Sequence, residues 1–257
     1  MLKDGLFDRF PCDEIYGFHN WPDLELGEVL AIPGPCMAGA DFFDIRLRGK
    51  GSHAAMPHNS RDPIVAMASL ISQFQTVVSR VTAPLQPAVL SITRISGGAA
   101  YNVIPAEVYI GGTIRFFTND VRSLIEAEMR RILQGCALAH SIEAALDIRN
   151  IFEITVNDAA AAYEIAETAA ALLGNENVFR LGNPSPVSED FADMLKVVPG
   201  AYFMIGHGKA KPLHHPEYEF DDAAIPIGAT ILSRLVERRL PLEGEAPKPE
   251  LKSVQRR

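Results

Sequence analysis

The sequence predicts an α/β fold, in which a ferredoxin-like (βαββαβ) domain is inserted into a partial doubly wound α/β domain. Residues 39–152 present the order strand, helix, strand, strand, helix, strand, which is the split βαβ plan. Residues 201–206 form a continuous apolar run, which is typical of a buried parallel strand. The flanking segments supply about three strands and three helices, too few for a doubly wound sheet that helices cover on both faces.

These observations divide the chain into three parts and a tail. Residues 1–38 and 153–240 are predicted to belong to one α/β domain, whose first part is expected to lack its N-terminal half. Residues 39–152 form the inserted domain. Residues 241–257 combine prolines with charged side chains and are predicted to be disordered.

Hydrophobic periodicity and capping residues predict the elements of the inserted domain. Phe43, Ile45 and Leu47 alternate with other residues, which indicates a strand with one buried face. Asp62 followed by Pro63 is typical of a helix N-terminus. The predicted elements are strands at residues 41–48, 88–95, 107–117 and 142–151, a helix that begins after Asp62, and a helix capped by Asn119 or Asp120.

The flanking parts contain fewer predicted elements. A short strand at residues 15–18 ends at His19, and Asn157 or Asp158 caps an alanine-rich helix that stops at Gly174. The remaining predicted elements are a short strand at residues 178–181, a helix after Ser188, the strand at residues 201–206 and a helix at residues 222–238.

Composition limits the partners and the compartment. The chain has 257 residues and a formal net charge of -8, and this acidic balance argues against nucleic acid as a partner. No unbroken apolar stretch reaches membrane-spanning length, and the first residues do not resemble a signal peptide. The three cysteines (Cys12, Cys36 and Cys136) lie far apart and fit a reducing compartment. We therefore expect a cytoplasmic protein with neither nucleic acid nor membrane as a partner.

Three segments rich in histidine stand out, GFHNWP, GSHAAMPH and LHHPEY. His19 follows a predicted strand at its C-terminal end, where open α/β sheets place ligand sites. Neutral imidazole is a common ligand for Zn²⁺ and also suits Mn²⁺. The alternative is that each histidine is an ordinary hydrogen-bonded loop residue.

Several longer motifs occur together and in a fixed order. The runs are GFHNWP, GKGSHAAMPHNSRDPI, GGAAYNVIPAEVYIGGTIRFF, VSEDFADML and PLHHPEYEFDD. Together they resemble the M20 family of metallopeptidases and amidohydrolases, in the branch of aminoacylases, hippurate hydrolases and auxin-conjugate hydrolases. The resemblance extends from Met1 to about Arg239. It implies a catalytic α/β domain, an inserted dimerisation and lid domain, and hydrolysis of the amide bond of N-acyl amino acids or small peptides.

The resemblance also implies roles for five residues. His19 and His214 would be ligands in a site for two divalent metal ions, Zn²⁺ or Mn²⁺. His53 would reach the reaction centre of the other subunit and stabilise the oxyanion, a catalytic role. Asn102 and Arg115 would bind the free carboxylate of the substrate, which suits the fork of a guanidinium group.

Each role has an alternative that depends on local structure alone. Arg115 would pair with Glu107 or another acid, Asn102 would be a turn residue, and His53 would cap the turn near Met56. Other residues with suitable chemistry are given structural roles: Glu189 and Asp190 at a helix N-terminus, and His58, His140, His207 and His215.

Two segments that the resemblance implies have no counterpart in this sequence. One is a Cys-Gly-His-Asp-Gly-His type run of metal ligands, and the other is a Glu-Glu pair that supplies the general base and a further ligand. Two histidines are fewer than the three or four ligands of a closed metal site. We therefore expect the chain to be N-terminally truncated and weakly active or inactive alone.

Two functional readings remain open. The first is a fragment of an amidohydrolase. The second is a non-catalytic dimerisation or binding module that retains only the function of the lid domain. Ferredoxin-like domains also bind RNA, but the net charge disfavours that use here. Under both readings we expect a homodimer that forms through residues 39–152, by edge strands or by helix faces.

Overall fold

The computed structural model describes residues 1–208 and 211–241. The described residues form mixed α/β structure, which confirms the predicted class. The strands are β1 (Ile15–Trp21), β2 (Val29–Leu30), β3 (Gly34–Met37), β4 (Gly39–Arg48), β5 (Ser52–His53), β6 (Ala88–Gly97), β7 (Val103–Ile104), β8 (Glu107–Phe116), β9 (Glu143–Phe152), β10 (Thr155–Asn157), β11 (Val178–Phe179) and β12 (Gly200–Gly206). The helices are α1 (Leu6–Arg9), α2 (Pro63–Thr76), α3 (Asn119–His140), α4 (Ala159–Leu173), α5 (Phe191–Leu195) and α6 (Ala224–Arg239).

The chain divides into two compact units. Unit 1 comprises Met1–Met37, Thr155–Ser185 and the described residues from Glu189 onward. Unit 2 comprises Ala38–Ile154 and the short segment Pro186–Ser188, which joins it because the amide of Ala38 donates a hydrogen bond to the Val187 carbonyl at 3.0 Å. The predicted disordered tail, residues 241–257, lies outside the described residues except for Pro241.

Unit 2 is built on a four-stranded antiparallel sheet in the order β6–β8–β4–β9. Burial alternates along β4, so that Phe43, Ile45 and Leu47 enter the core while the residues between them face outward. The helices α2 and α3 cover the apolar face, and their buried side chains complete one core with the sheet. Because side chains alternate along a strand, a shift of one residue in the β4 register would expose this apolar set.

Local capping explains where the two helices of unit 2 begin. The Asp62 carboxylate accepts a hydrogen bond from the Ile64 amide at 2.8 Å, and Pro63 occupies the first helical position. The α3 cap is Thr118, whose hydroxyl accepts from the Val121 amide at 3.3 Å. The prediction of Asn119 or Asp120 was therefore wrong by one position. Three consecutive residues can cap a helix here, and periodicity alone does not choose between them.

The segment Pro63–Val81, α2 with the π-helical turn that follows it, is long and apolar enough to cross a membrane by length and composition. Length and composition alone are weak evidence for a span. Ala66, Leu70, Phe74 and Val77 are fully buried in the core of unit 2, as expected for a helix that packs on a sheet.

Unit 1 contains a four-stranded sheet in the order β1–β12–β2–β11. β12 is buried at every position and pairs in parallel with β1, as its apolar run predicts. The helices α4 and α6 pack against it through Ile165, Ala169, Ile231 and Leu235. Asp158 caps α4, since its carboxylate accepts from the amides of Ala160 and Ala161, and the helix ends before Gly174.

The bounds of two predicted strands in unit 1 need correction, and three further strands were not predicted. The strand predicted at residues 15–18 continues to Trp21, because β12 extends to Gly206 and supplies backbone partners, so His19 lies within β1 and not after it. The strand predicted at residues 178–181 ends at Phe179, and the predicted helix after Ser188 is present from Phe191 to Leu195. The strands β2, β3 and β10 were not predicted, because two to four residues are too few for a readable pattern.

Candidate functional site

His19 lies near the end of β1, where it pairs with Met204 of β12. Its ring Nδ1 is 2.6 Å from the backbone oxygen of Asn20. A carbonyl oxygen only accepts, so Nδ1 carries the proton and Nε2 keeps its lone pair. A backbone acceptor on one ring nitrogen is the usual way in which proteins orient a histidine that binds metal through the other. The geometry of His19 therefore suits a metal ligand.

His214 is exposed and has a backbone φ of 65°, which lies in the left-handed region. Few residues other than glycine adopt this conformation, and it commonly marks a turn or a functional position. The neighbouring His215 is engaged differently, since its Nδ1 accepts a hydrogen bond from the Glu217 amide at 3.1 Å. This local bond agrees with the structural role predicted for His215.

A divalent metal ion bound in unit 1 would need several donor side chains grouped together. Within residues 1–208 and 211–241, no group of three or more His, Cys, Asp or Glu side chains could hold a metal ion. A closed site requires three or four protein ligands. The described residues thus offer individual donors, such as His19 and His214, but do not complete the two-metal site that the resemblance implies.

A hydrogen-bond network that was not predicted lies beside His19. The Asn20 side-chain amide donates to the Tyr218 hydroxyl, which in turn lies 2.9 Å from Nε2 of His207. His207 is 3% exposed and stacks on Phe220 with ring centroids 5.6 Å apart. Asn20 and Tyr218 each lie in a motif that was singled out, but they are 198 residues apart, so nothing local in the sequence joins them.

In unit 2, His53 and Asn102 lie close together. β5 pairs with β7 so that His53 is opposite Val103, and the Ala54 amide donates to the Asn102 carbonyl at 2.9 Å. Both residues are exposed. The Nδ1 atom of His53 accepts from the Ala55 amide at 3.1 Å, which is the local cap considered as an alternative. This bond leaves Nε2 of the exposed ring as the proton donor.

Arg115 lies near the end of β8, between Ala40 of β4 and Val89 of β6. Its guanidinium donates to the Thr113 hydroxyl and to the Ile114 carbonyl, and partial burial lowers its pKa from the ordinary value. Among the described residues Arg115 has no acidic partner within salt-bridge distance. The alternative pairing with Glu107 is not observed, because that carboxylate binds Arg46, Arg48 and Tyr109.

The structure separates Arg115 from the other two candidate residues of unit 2. β8 runs from Glu107 to Phe116, and the turn with Asn102 precedes it. Eight residue steps of an extended strand, from Glu107 to Arg115, span about 27 Å. Asn102 and His53 therefore lie at one end of the sheet and Arg115 at the other. One small ligand cannot touch both ends of the same copy.

Glu189 and Asp190 belong to the VSEDFADML motif. Glu189 accepts hydrogen bonds from the Tyr202 hydroxyl and from the Asp190 amide, each at 2.9 Å. Burial, assisted by the Glu189 charge, raises the pKa of Tyr202 well above its usual range. The sequence suggested that Glu189 only complements a helix dipole. The structure shows that its carboxylate also binds Tyr202 of the central strand β12.

Comparisons with known proteins give a consistent picture. The sequence model of peptidase family M20/M25/M40 matches residues 1–238. The N-acetylcysteine deacetylase of Bacillus subtilis (strain 168) is 37% identical over 221 residues, which cover 86% of this chain and 57% of the relative. The hippurate hydrolase of Campylobacter jejuni is 32% identical over 235 residues, which cover 91% of this chain and 61% of the relative.

A solved structure agrees with these relatives. The Bacillus subtilis YxeP protein, described as a dinuclear metal-binding peptidase of the M20 family, superposes with a TM-score of 0.75 and 29% sequence identity. The match covers 91% of this chain and 58% of that chain. The chain thus spans less than two thirds of the length of each of these proteins.

Proposed function

Because the chain belongs to peptidase family M20/M25/M40, we propose that it is part of a metal-dependent hydrolase that cleaves the amide bond of N-acyl amino acids. Substrates of the hippurate class and amino-acid conjugates both carry a free carboxylate beside the scissile amide. The observation that carries the proposal is Arg115, a partly buried guanidinium that has no acidic partner among the described residues. Such a group is suited to bind a carboxylate with two hydrogen bonds.

The proposed roles follow the chemistry of each side chain. Arg115 and Asn102 bind the substrate carboxylate and orient the amide. His53 donates a hydrogen bond from Nε2–H to the oxygen that becomes negative when the carbonyl is attacked, a contribution worth about 3 kcal/mol in related sites. His19 and His214 are ligands of the divalent metal ions, zinc or manganese. When bound, such ions supply Lewis-acid activation of water and carbonyl.

Unit 2 is proposed to be the dimerisation and lid domain, and the protein to be a homodimer. The separation of about 27 Å along β8 supports this. If His53, Asn102 and Arg115 all serve one substrate, one end of the sheet must come from a second copy. The dimer is then a requirement of the site, with Arg115 from one copy and the pair His53 and Asn102 from its partner.

A second candidate function is a non-catalytic dimerisation or binding module. The observation in its favour is that the described residues contain no group of three potential metal ligands. Under this proposal unit 2 forms the dimer and Arg115 binds a carboxylate ligand without hydrolysis. In both cases a cytoplasmic location is proposed, without nucleic acid or membrane as a partner.

The test is hydrolysis of hippurate with added Mn²⁺ or Zn²⁺, in two proteins. One is this chain, and the other is a chimera that adds a family segment carrying the Cys-Gly-His-Asp-Gly-His type run and the Glu-Glu pair. We expect weak or no hydrolysis by the chain and clear hydrolysis by the chimera, lost on Arg115→Ala. A folded chimera without activity toward any N-acyl amino acid would favour the binding module.

A further inference from the structure

The Tyr218 hydroxyl occupies a central position among three segments of unit 1. It accepts a hydrogen bond from the Asn20 side-chain amide, which leaves its single proton for Nε2 of His207. Partial burial raises the pKa of Tyr218, so the hydroxyl keeps this proton at neutral pH. Both hydrogen-bonding capacities of the hydroxyl are thus used within the protein.

The two partners of Tyr218 lie at the ends of neighbouring strands. Asn20 of β1 pairs with Ile205 of β12, and His207 follows the last residue of β12 directly. The β1–β12 pairing is parallel, so both strands end at the same edge of the sheet. Tyr218 itself belongs to the described segment that begins at Lys211, which also carries His214.

Hydrogen bonds inside that segment shape it but do not attach it to the sheet. The His215 amide donates to the Pro212 carbonyl at 3.1 Å, and the Tyr218 amide donates to the His215 carbonyl at 3.0 Å. The ion pair between Lys211 and Glu217, at 3.6 Å, is exposed and also internal. Attachment to the strand ends comes from the Tyr218 hydroxyl, with the stacking of Phe220 on His207 beside it.

We propose that the Tyr218 hydroxyl is a positioning group, which holds the segment with His214 against the strand ends beside His19. The proposal rests on the proposed role of His19 and His214 as metal ligands, because it explains how two residues distant in sequence keep a fixed relative placement. His214 needs such support, since its left-handed backbone conformation is unfavourable without surrounding contacts. His207, buried and hydrogen-bonded, serves as the fixed acceptor.

The experiment uses the full chain and four variants: Tyr218→Phe, Asn20→Ala, the double variant, and Tyr16→Phe as the matched control. Tyr16 is also in unit 1 and its hydroxyl donates to Glu14 at 2.9 Å, away from the His214 segment. Amide hydrogen exchange is measured at His215 and Tyr218. Backbone and ring NMR signals of His214 supply a signature of its conformation, which a general loss of stability would not change.

We expect Tyr218→Phe to speed exchange at these two amides by about tenfold, because it removes both hydrogen bonds of the hydroxyl. Asn20→Ala removes only the bond from Asn20 and should speed exchange less. The double variant should match Tyr218→Phe, because the bond from Asn20 is already absent in that variant. The His214 signals should shift in these variants and not in Tyr16→Phe. Unchanged exchange and His214 signals in Tyr218→Phe, or effects that multiply in the double variant, would overturn the proposal. Neither hydrogen exchange nor the NMR signals require a metal ion or hydrolysis. The positioning role of Tyr218 can therefore be confirmed or overturned whether or not the proposed hydrolysis is found.

Discussion

Asp41 is the buried carboxylate of unit 2, with an exposed fraction of 1%. It accepts hydrogen bonds from Arg122 at 2.7 Å and from the Asn150 side chain at 2.8 Å. We predict that Asp41→Ala lowers the free energy of unfolding by about 3 kcal/mol, because two polar groups lose their partner where water is scarce. Urea unfolding of the two proteins measures the difference.

Asp44 offers a matched control for Asp41 on the same strand. Its side chain is 51% exposed and pairs with Arg149 at 2.5 Å. An exposed ion pair contributes little, so Asp44→Ala should cost less than about 1 kcal/mol. Similar losses of unfolding free energy in Asp41→Ala and Asp44→Ala would show that burial does not determine how much Asp41 stabilises the fold.

Glu107 should make stability depend on pH in the acidic range. The hydroxyl of Tyr109 and then Arg46 and Arg48 donate hydrogen bonds to its carboxylate, and these lower its pKa from 4.5 to about 2. Because the pKa of Glu107 is lower in the folded state than in the unfolded state, its ionised carboxylate stabilises the folded state. This stabilisation is complete above about pH 4.5 and is lost as the pH falls toward 2. We predict that Glu107→Gln is less stable than the unmodified chain at neutral pH, and that this difference shrinks across that window.

The measurement is urea unfolding at a series of pH values. Tyr109→Phe removes the largest cause of the pKa shift, so the pKa of Glu107 should rise in this variant. The pH range over which Glu107 changes the stability should then become narrower. A difference between Glu107→Gln and the unmodified chain that stays constant with pH would contradict this explanation.

At the residue scale, the sequence predicts candidate functional side chains, but it does not predict what these side chains contact. His19, His53 and Arg115 lie in short contiguous motifs, which can be read without a structure. Their hydrogen-bond partners are nearby backbone groups and side chains that the motif does not specify, as with Thr113, two residues before Arg115. The bond between Asn20 and Tyr218 joins residues 198 positions apart, so it follows from the fold and not from any local pattern.

At the element scale, the two helices of unit 2 differ in surface chemistry. The helix α2 contains no charged residue, and the turn after it contains one, Arg80, whereas α3 carries six, among them Arg130 and Arg131. The edge strands differ in the same way. β9 carries three charged residues, Glu143, Asp147 and Arg149, while the other edge strand, β6, carries only Arg94 and exposes Val89 and Ile95. Charged edge strands resist association, so we predict that the proposed homodimer forms through the surface of α2 and β6.

We predict that Val65→Asp, on α2, converts the proposed dimer to monomer and leaves unit 2 folded. Val65 is 55% exposed, so the new charge costs little in the monomer but is buried without a partner in the dimer. Leu138→Asp on α3 is the control, since Leu138 is 83% exposed and lies on the charged helix. Light scattering at micromolar concentration distinguishes the species. An unmodified chain that is strictly monomeric, or two variants that behave alike, would exclude this interface.

The long elements could be predicted from sequence, whereas several of the short strands could not. Alternation over β4 and β8, and helical spacing over α2 and α3, extend far enough for periodicity to be read. β2 has two residues and forms only because β11 and β12 supply backbone partners. The extension of β1 to Trp21 has the same cause, because tertiary pairing and not local preference decides where that strand ends.

At the scale of the whole molecule, the chain covers 57% of one relative and 61% of another, and β1 has a strand neighbour on one side only among the described residues. The order of motifs predicted the family and the α/β class, because that order is a property of the sequence. The distance between Asn102 and Arg115 could not be predicted, because it follows from the length and direction of β8. That distance allows a test of whether two copies of the chain form each proposed site together.

If each site combines Arg115 of one copy with His53 of its partner, two inactive variants should complement each other. We predict that His53→Ala and Arg115→Ala each abolish hydrolysis in the chimera that completes the metal site. Unfolding and refolding an equal mixture should restore about a quarter of the original activity. Half of the dimers are then mixed, and one of the two sites in each mixed dimer retains both residues.

The controls follow from the same geometry. A mixture of His53→Ala with Asn102→Ala should not recover by this route, because both residues lie at the same end of the sheet and come from the same copy. Recovery for the first mixture and not for the second would place the two ends of unit 2 in different halves of one site. If the dimers exchange subunits but no mixture recovers activity, the prediction is wrong, and His53 and Arg115 do not combine across two copies. They could then serve one substrate only within one copy, which the separation of about 27 Å along β8 does not allow for a small ligand.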